Sequence, residues 1–469
     1  DQPSAAPYRN WNERITAECY TANLAAPILG QDGDVVREID TYEHISFNFG
    51  PTLMAWLESN VPHTYHGIVE ADRLSRERHS GHGSAIAQAY NHTILPLSNR
   101  QDKLTQIRWG IADFVHRYGR EPAGMWLPET AVDTESLELL AAEGIGFTIL
   151  SPYQADSVLE ADGHWADVSG GRVDTRHAYR VELPHGRAIS VFFYDGPLSQ
   201  EIAFNGVLDD GRILAKRLVQ AIGEGDDRPL LAHVATDGET YGHHHRHGEM
   251  ALAAAIEDLE RDPEVTLTNY AAFLAEQPAR ATATVVESSS WSCAHGVERW
   301  RADCGCHSGA HPDWSQTWRA PLRAALDWLR DSMIPMYEER GGELFTEPWA
   351  ARDAYIDVIL GGSLDELVSR HGSHPLDPGE RSVAVSLLEA QHQAMLMYTS
   401  CGWFFDDVSG LEAVLVLRYA GRAIYLTRRA TGVDLEPIFL EMLDEAPSNV
   451  DGRTGRDVYL EKVSPYMAI

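Results

Sequence analysis

The sequence has no uninterrupted apolar run of about 18 residues, the length a transmembrane helix needs, so no membrane-spanning segment is expected. The opening residues also lack the basic-then-apolar profile of a secretory leader, and the expected location is cytoplasmic. Positive charge is scarce. Against 70 Asp and Glu stand 38 Lys and Arg, a formal net charge of −32, and the only lysines are Lys103, Lys216 and Lys462. Nucleic acid binding needs clustered cations against phosphates, so the expected partner is a neutral ligand and not nucleic acid. Cysteine is sparse, 5 in 469 residues, with Cys19 and Cys401 alone and Cys293, Cys304 and Cys306 close together. The Gly-rich pieces Ser169-Gly-Gly171 and Gly361-Gly-Ser lack the spacing and the following Lys-Ser/Thr of a nucleotide loop, which argues against phosphate chemistry.

What is present is a chain with 44% hydrophobic residues, enough for a large core. Short apolar runs at 44–49, 123–127, 147–150, 188–194, 230–235 and 265–268 predict strands. Amphipathic stretches at 104–118, 135–143, 211–222 and 249–261 predict helices between them, and Pro51 opens another. This alternation predicts an α/β domain with a parallel sheet or barrel over residues 1–280. Residues 281–318, rich in Trp, Cys and Gly, read as an ordered loop covering a site. From 319 to 469 the strand signals vanish, and 322–337, 351–360, 381–397 and 410–419 predict an all-α helical domain.

Two segments place acids at strand ends: Gly124-Met-Trp-Leu-Pro-Glu129 and His233-Val-Ala-Thr-Asp237-Gly-Glu-Thr-Tyr-Gly242. Barrel enzymes present catalytic side chains at the carboxyl ends of different strands. Two carboxyl groups meeting there suit retaining glycoside chemistry, in which one attacks and the other protonates the leaving oxygen and then activates water. Glu129, stiffened by Pro128, is the expected nucleophile and Asp237 the expected acid/base, with Glu239 an alternative acid that strand parity does not exclude. The plainer readings are a turn for Asp237-Gly238 and a helix-dipole partner for Glu129.

Trp126, Trp291 and Trp403 are the expected sugar-stacking aromatics, with His92 and His295 as hydroxyl partners, although most tryptophans in a chain of this size are core. Asp406 is a candidate for reaching the cleft or, equally, a helix cap. His243, His244, His245 and His247 raise a metal reading, but adjacent residues rarely face one centre. Cys293-Ala-His295 and Cys304-Gly-Cys306-His307 hold enough ligands for zinc, yet lack the usual two-residue spacer. The expected state is a tight loop of reduced thiols, with no metal and no cofactor.

The Trp-Leu-Pro-Glu129 and Thr-Asp237-Gly-Glu-Thr-Tyr-Gly segments resemble the third and fourth sequence regions of glycoside hydrolase family 57, a family of retaining enzymes acting on α-glucans. The likeness extends through Trp11-Asn-Glu-Arg-Ile, Tyr90-Asn-His-Thr-Ile-Leu-Pro-Leu97, Ser288-Ser-Ser-Trp-Ser-Cys-Ala-His295 and Thr399-Ser-Cys-Gly-Trp-Phe-Phe-Asp406, as in a subgroup with a helical domain after the barrel. It implies an incomplete seven-stranded (β/α) barrel, Glu129 as nucleophile and Asp237 as general acid/base. It also implies double displacement on an α-glucan or oligosaccharide by hydrolysis or glucanotransfer, with α-1,4 linkages favoured. Three departures stand out. His92 takes the place where several members carry an acid, and a family tryptophan falls at His243 to His245. The family's His-containing Gln-Pro segment is matched only superficially by Asp1-Gln-Pro3. The competing expectations are a metal-dependent carbohydrate deacetylase and a catalytically weak glucan-binding protein.

Overall fold

The chain folds in two units drawn from alternating stretches of sequence. In the computed structural model, which describes residues 2–224, 229–450 and 452–467, the first unit is Asp1–Gln88, Arg117–Trp126 and Leu140–Val286, and the second is Ala89–His116, Leu127–Leu139 and Glu287–Ile469. This division differs from the cuts expected at 280 and 318. Two N-terminal segments join the helical unit because Ile94, Trp109 and Ala131 are buried in its cores.

All the named strands lie in the first unit: β1 (Ala26–Leu29), β2 (Val35–Ile39), β3 (Ala87–Gln88), β4 (Met125–Trp126), β5 (Phe147–Leu150), β6 (Ala155–Leu159), β7 (Trp165–Asp167), β8 (Ala178–Glu182), β9 (Ala188–Phe193) and β10 (Ala281–Val285). Parallel pairing runs from Phe47 to Ala85, from β3 to β4 with Gln88 opposite Trp126, from Gly124 to Phe147, and from β5 to β9 with Leu150 opposite Phe193. All four β5 residues are buried, as expected of an apolar run in a sheet covered on both faces. Beyond β9 the order continues β8, β10, β6, β7, antiparallel except between β8 and β10.

The runs expected as strands at 230–235 and 265–268 are irregular instead. Around the first, bonds go to loop and side-chain partners. Leu231 N–H donates to Arg176 O at 3.1 Å, Ala235 N–H to Ser199 Oγ at 3.1 Å, and His233 O accepts from Asp195 N at 2.9 Å. The helices at Gly211–Ile222, capped by Asp210, and Gly248–Arg261 follow the expected amphipathic pattern and bury Leu214, Leu252 and Ile256 with Ile28 and Ile39 of the β1–β2 ribbon.

The second unit is built on helices at Arg319–Leu344, Pro348–Ile359, Pro378–Leu396 and Leu411–Thr431, each longer than its apolar period alone suggested. Pro348 and Pro378 sit at first helical positions, Asp377 and Glu380 form a capping box, and Gly432 at φ 79° closes the last helix. The molecule is thus α/β with a mostly helical C-terminal region, and no described helix is long and apolar enough to cross a membrane.

Two buried polar groups set stability expectations. Arg352, 1% exposed, donates to Asp102 Oδ1 at 2.7 Å, Thr105 Oγ1 at 2.8 Å and Gln101 O at 3.0 Å. Arg352→Met leaves Asp102 buried without its cation, and urea denaturation should show a loss of about 3 kcal/mol or more, partly recovered by adding Asp102→Leu. His233 bonds Tyr270 OH at 3.0 Å and Thr175 O at 2.9 Å, and burial pushes its imidazole down to about 4. Its folded value lies below the unfolded one, so its stabilisation is complete above about pH 6.5 and is lost as pH falls towards 4. Unfolding free energy measured across that window should decline, with a shallower slope in His233→Gln.

Candidate active site

Glu129 stands in the second unit just beyond β4, with a left-handed backbone at φ 58° and ψ 21°. Thr130 follows at φ 50°. Consecutive left-handed residues, one β-branched, are costly and persist only where surrounding bonds over-determine them. Here the bonds come from the Ser288 to Ser292 segment. Val132 N–H donates to Ser289 O at 3.0 Å, Ser289 N–H returns to Val132 O at 3.3 Å, and Trp291 N–H donates to Glu129 O at 3.1 Å. The carboxylate is gripped by the same segment: Glu129 Oε2 accepts from Trp291 Nε1 at 2.9 Å and Ser292 Oγ at 2.6 Å. Glu129, Trp291 and Ser292 are all half-buried. Glu129 is therefore held by side-chain donors of a separate segment, unlike the helix-dipole partner of the plainer reading.

His92, another left-handed residue at φ 54°, bonds Ser400 Oγ through Nδ1 at 2.6 Å while its carbonyl accepts from Ser400 N at 2.9 Å. The Tyr90 to Leu97 and Thr399 to Asp406 segments, separate in sequence, are thus joined at His92 and Ser400.

Asp237 belongs to the first unit, is exposed, and opens the short turn Gly238–Thr240. The nearby Tyr194 phenol is pushed up to about 12 by burial, opposed by its bond from Ser151 and reinforced by the Asp237 charge. Residues 238–243 are fastened to the π-helix Thr16–Tyr20, a rare geometry frequent at functional sites. Tyr20 OH donates to Glu239, Cys19 Sγ to Gly238 O at 3.3 Å, and Asn23 Nδ2 to Tyr241 O at 2.8 Å. Glu239, the alternative acid, is thereby committed to Tyr20. His243 Nδ1 meets Glu18 Oε2 at 2.5 Å, Arg14 Nε meets Glu18 Oε1 at 3.1 Å, and the Trp11 and His243 rings contact edge-on at 5.9 Å.

Three histidines of this loop diverge. His243 faces Glu18, His245 Nε2 bonds Ala203 O at 2.7 Å, and His247 stands at the N-cap position of the helix Gly248–Arg261 without a side-chain capping bond. Among the described residues, the one group of His, Cys, Asp or Glu side chains close enough to hold a metal is Cys293, His295, Cys304 and Cys306.

Two expected sugar contacts, Trp403 and Asp406, are corrected by packing. Trp403 is 1% exposed and stacks on Trp318 at 6.2 Å within the helical core, so its faces are covered by protein. Asp406, 4% exposed, accepts from Ser308 N at 2.8 Å and Ser308 Oγ at 2.5 Å, fastening the loop rather than capping a helix or lining a cleft. His295 turns its Nδ1 to Cys306 Sγ at 3.7 Å. Trp126, half-buried, ends β4 in the first unit. Ser292, Glu18 and Tyr20 escaped sequence reasoning. Ser292 lay inside a motif already singled out, whereas nothing in the sequence joins residues 14–20 to residues 238–243.

Gly242 measures how tightly that loop is held. Its φ is 131°, and a Cβ there would overlap the Glu18 carbonyl oxygen, whereas one on Gly238 meets nothing within 4 Å. Gly242→Ala should lower stability by about 2 kcal/mol or more in chemical denaturation, while Gly238→Ala should change it by less than about 0.5 kcal/mol.

Comparison with known proteins bears on these segments. The chain is 24% identical over 198 residues to alpha-amylase 1 of Dictyoglomus thermophilum, 42% of this chain and 26% of that one. It is 21% identical over 260 residues to a 4-alpha-glucanotransferase of Thermococcus litoralis, 53% and 36% of the two chains. It spans about a quarter to a third of the length of these relatives. Its fold is similar to an exo-type maltose-forming amylase from Pyrococcus sp. ST04, with TM-score 0.70 at 16% identity over 93% of this chain and 75% of that one. Residues 314–468 match a domain of unknown function, DUF3536. Residues 16–286, which contain both Glu129 and Asp237, match glycosyl hydrolase family 57, and the chain belongs to that family.

Proposed function

We propose that the chain is a retaining enzyme of α-glucans, a hydrolase or 4-alpha-glucanotransferase with α-1,4 linkages favoured. Glu129 acts as its nucleophile and Asp237 as its general acid/base. The observation that carries this reading is the state of Glu129: a left-handed backbone and a carboxylate whose Oε2 is engaged by Trp291 Nε1 and Ser292 Oγ. Such strain and fixed donors at one acid fit a group held for reaction more than a structural ion pair. The parallel succession through Phe47, β3, β4, β5 and β9 supports an incomplete seven-stranded (β/α) barrel as the scaffold. The activities of the relatives, an amylase and a glucanotransferase, support the substrate class.

In the first step Glu129 Oε1 attacks the anomeric carbon, the glycosidic C–O bond breaks, and Asp237 gives its proton to the departing oxygen. In the second, water or a sugar hydroxyl attacks the same carbon, Asp237 takes its proton, and Glu129 leaves as carboxylate. Water yields hydrolysis and a sugar hydroxyl yields transfer, so the two carboxyl groups serve both outcomes. Trp126 and Trp291 offer ring faces to a sugar, and His92 supplies a polar edge.

Glu129→Gln should lower kcat on maltooligosaccharides by about 10³-fold or more while leaving binding measurable. External azide should restore turnover of Asp237→Ala with retained configuration at the anomeric carbon and of Glu129→Gly with inverted configuration. Unchanged turnover in Glu129→Gln defeats the assignment. Turnover abolished by chelation alone, with Glu129→Gln active, would favour the deacetylase class instead.

A further inference from the structure

The stretch between Glu287 and Trp318 has little regular structure, a single 3-10 turn at Glu298–Trp300, yet its side chains reach the helical core. Something besides backbone ladders must hold it. Cys293 Sγ lies 3.9 Å from Cys304 Sγ and 3.8 Å from Cys306 Sγ, and Cys306 Sγ lies 3.7 Å from His295 Nδ1. All four ligand atoms fall within 4.8 Å of one another. Tetrahedral zinc, with Zn–S of about 2.3 Å and Zn–N of about 2.0–2.1 Å, sets S···S edges of about 3.8 Å and S···N edges of about 3.6 Å. The three spacings of 3.7, 3.8 and 3.9 Å match those edges. A disulfide would draw one thiol pair to about 2.05 Å, whereas Cys293 is near-equidistant from two thiols.

The local backbone suits this arrangement. Gly305, at φ 78°, turns the chain between Cys304 and Cys306 so that both thiols face Cys293, and Gly296, at φ 81°, turns it just past His295. Charge is suited as well. Three thiolates and one Zn²⁺ leave a net charge of −1, and two buried guanidiniums border the cluster. Arg319 Nη1 donates to Cys306 O at 2.7 Å and Arg299 Nη1 to Ser292 O at 3.0 Å, so both spend these bonds on carbonyls adjoining the ligands and keep their charge to offset that of the site.

We propose that Cys293, His295, Cys304 and Cys306 form a closed Cys₃His zinc site that cross-links residues 293–306 and so fixes the shape of this segment. Four protein ligands leave no open position, so the ion is structural rather than catalytic. Cys293 directly follows Ser292, whose hydroxyl bonds Glu129 Oε2. On the reading of Glu129 as nucleophile, the ion also steadies the donors that hold it.

The test uses the full chain and the metal alone. Protein dialysed against metal-free buffer should retain, or take up on adding Zn²⁺, about one zinc per chain. With Co²⁺ it should show thiolate-to-cobalt charge transfer and the intense visible bands of a tetrahedral ion. Cys304→Ser and Cys306→Ser should each weaken zinc binding by about 10-fold or more, while Cys401→Ser keeps it. A wild-type chain that binds no Co²⁺ with thiolate bands overturns the site, as does full zinc retention in the Cys304→Ser/Cys306→Ser double variant. A disulfide among Cys293, Cys304 and Cys306 in non-reduced protein also overturns it. Metal content and cobalt spectrum do not depend on turnover, so an inactive Glu129→Gln that still binds cobalt separates this proposal from the catalytic one.

Discussion

The pairing of residues 129–132 with residues 288–292 is the constraint on which the second unit's part of the site depends. It supplies at once the ladder bonds between Val132 and Ser289, the bond from Trp291 to the Glu129 carbonyl, and two donors to the Glu129 carboxylate. Left alone, Glu129 and Thr130 would relax from left-handed backbone, since a β-branched residue disfavours it. Strain at these residues is tolerable because the bonds that impose it also satisfy backbone and carboxylate polar groups.

The same segment is continuous with the Cys₃His cluster and with the Trp300 and Trp318 core, so the donors to Glu129 are anchored through covalent chain to the deepest packing of the helical unit. Asp406 adds a further fastening through Ser308, and Arg299 and Arg319 tie backbone carbonyls on both sides. The helical region thus acts on the candidate nucleophile by carrying its support, and the support consists of short hydrogen bonds on a rigid base. The loop that bears Asp237 has its own base, the π-helix Thr16–Tyr20, where one irregular turn supplies Cys19 and Tyr20 as donors to Gly238 and Glu239.

Much of the fold was legible because its signals are local. The continuous apolar run Phe147–Leu150 became a buried strand, and the periods at 211–222 and 249–261 became helices with the boundaries expected to within a residue. The run at 230–235 misled for a physical reason: apolar character reports burial, and a half-buried segment whose backbone partners are Arg176, Ser199 and Asp195 has no need of a neighbouring strand. The aromatic expectations divided likewise. A tryptophan in a motif has the same composition whether it stacks on a ligand, as proposed for Trp126, or on another tryptophan, as Trp403 does on Trp318.

By itself the sequence determined the acidic character, the α/β order followed by helices, and the two acids, Glu129 and Asp237, at the ends of apolar runs, because these depend on residue type and near-neighbour spacing. Only the tertiary structure decided that Ser292 and Trp291 grip Glu129, that Tyr20 takes Glu239, and that three thiols and an imidazole lie within 4.8 Å of each other. Those outcomes depend on contacts between residues up to 219 positions apart, and such contacts are set by how whole elements pack rather than by any pattern in the chain.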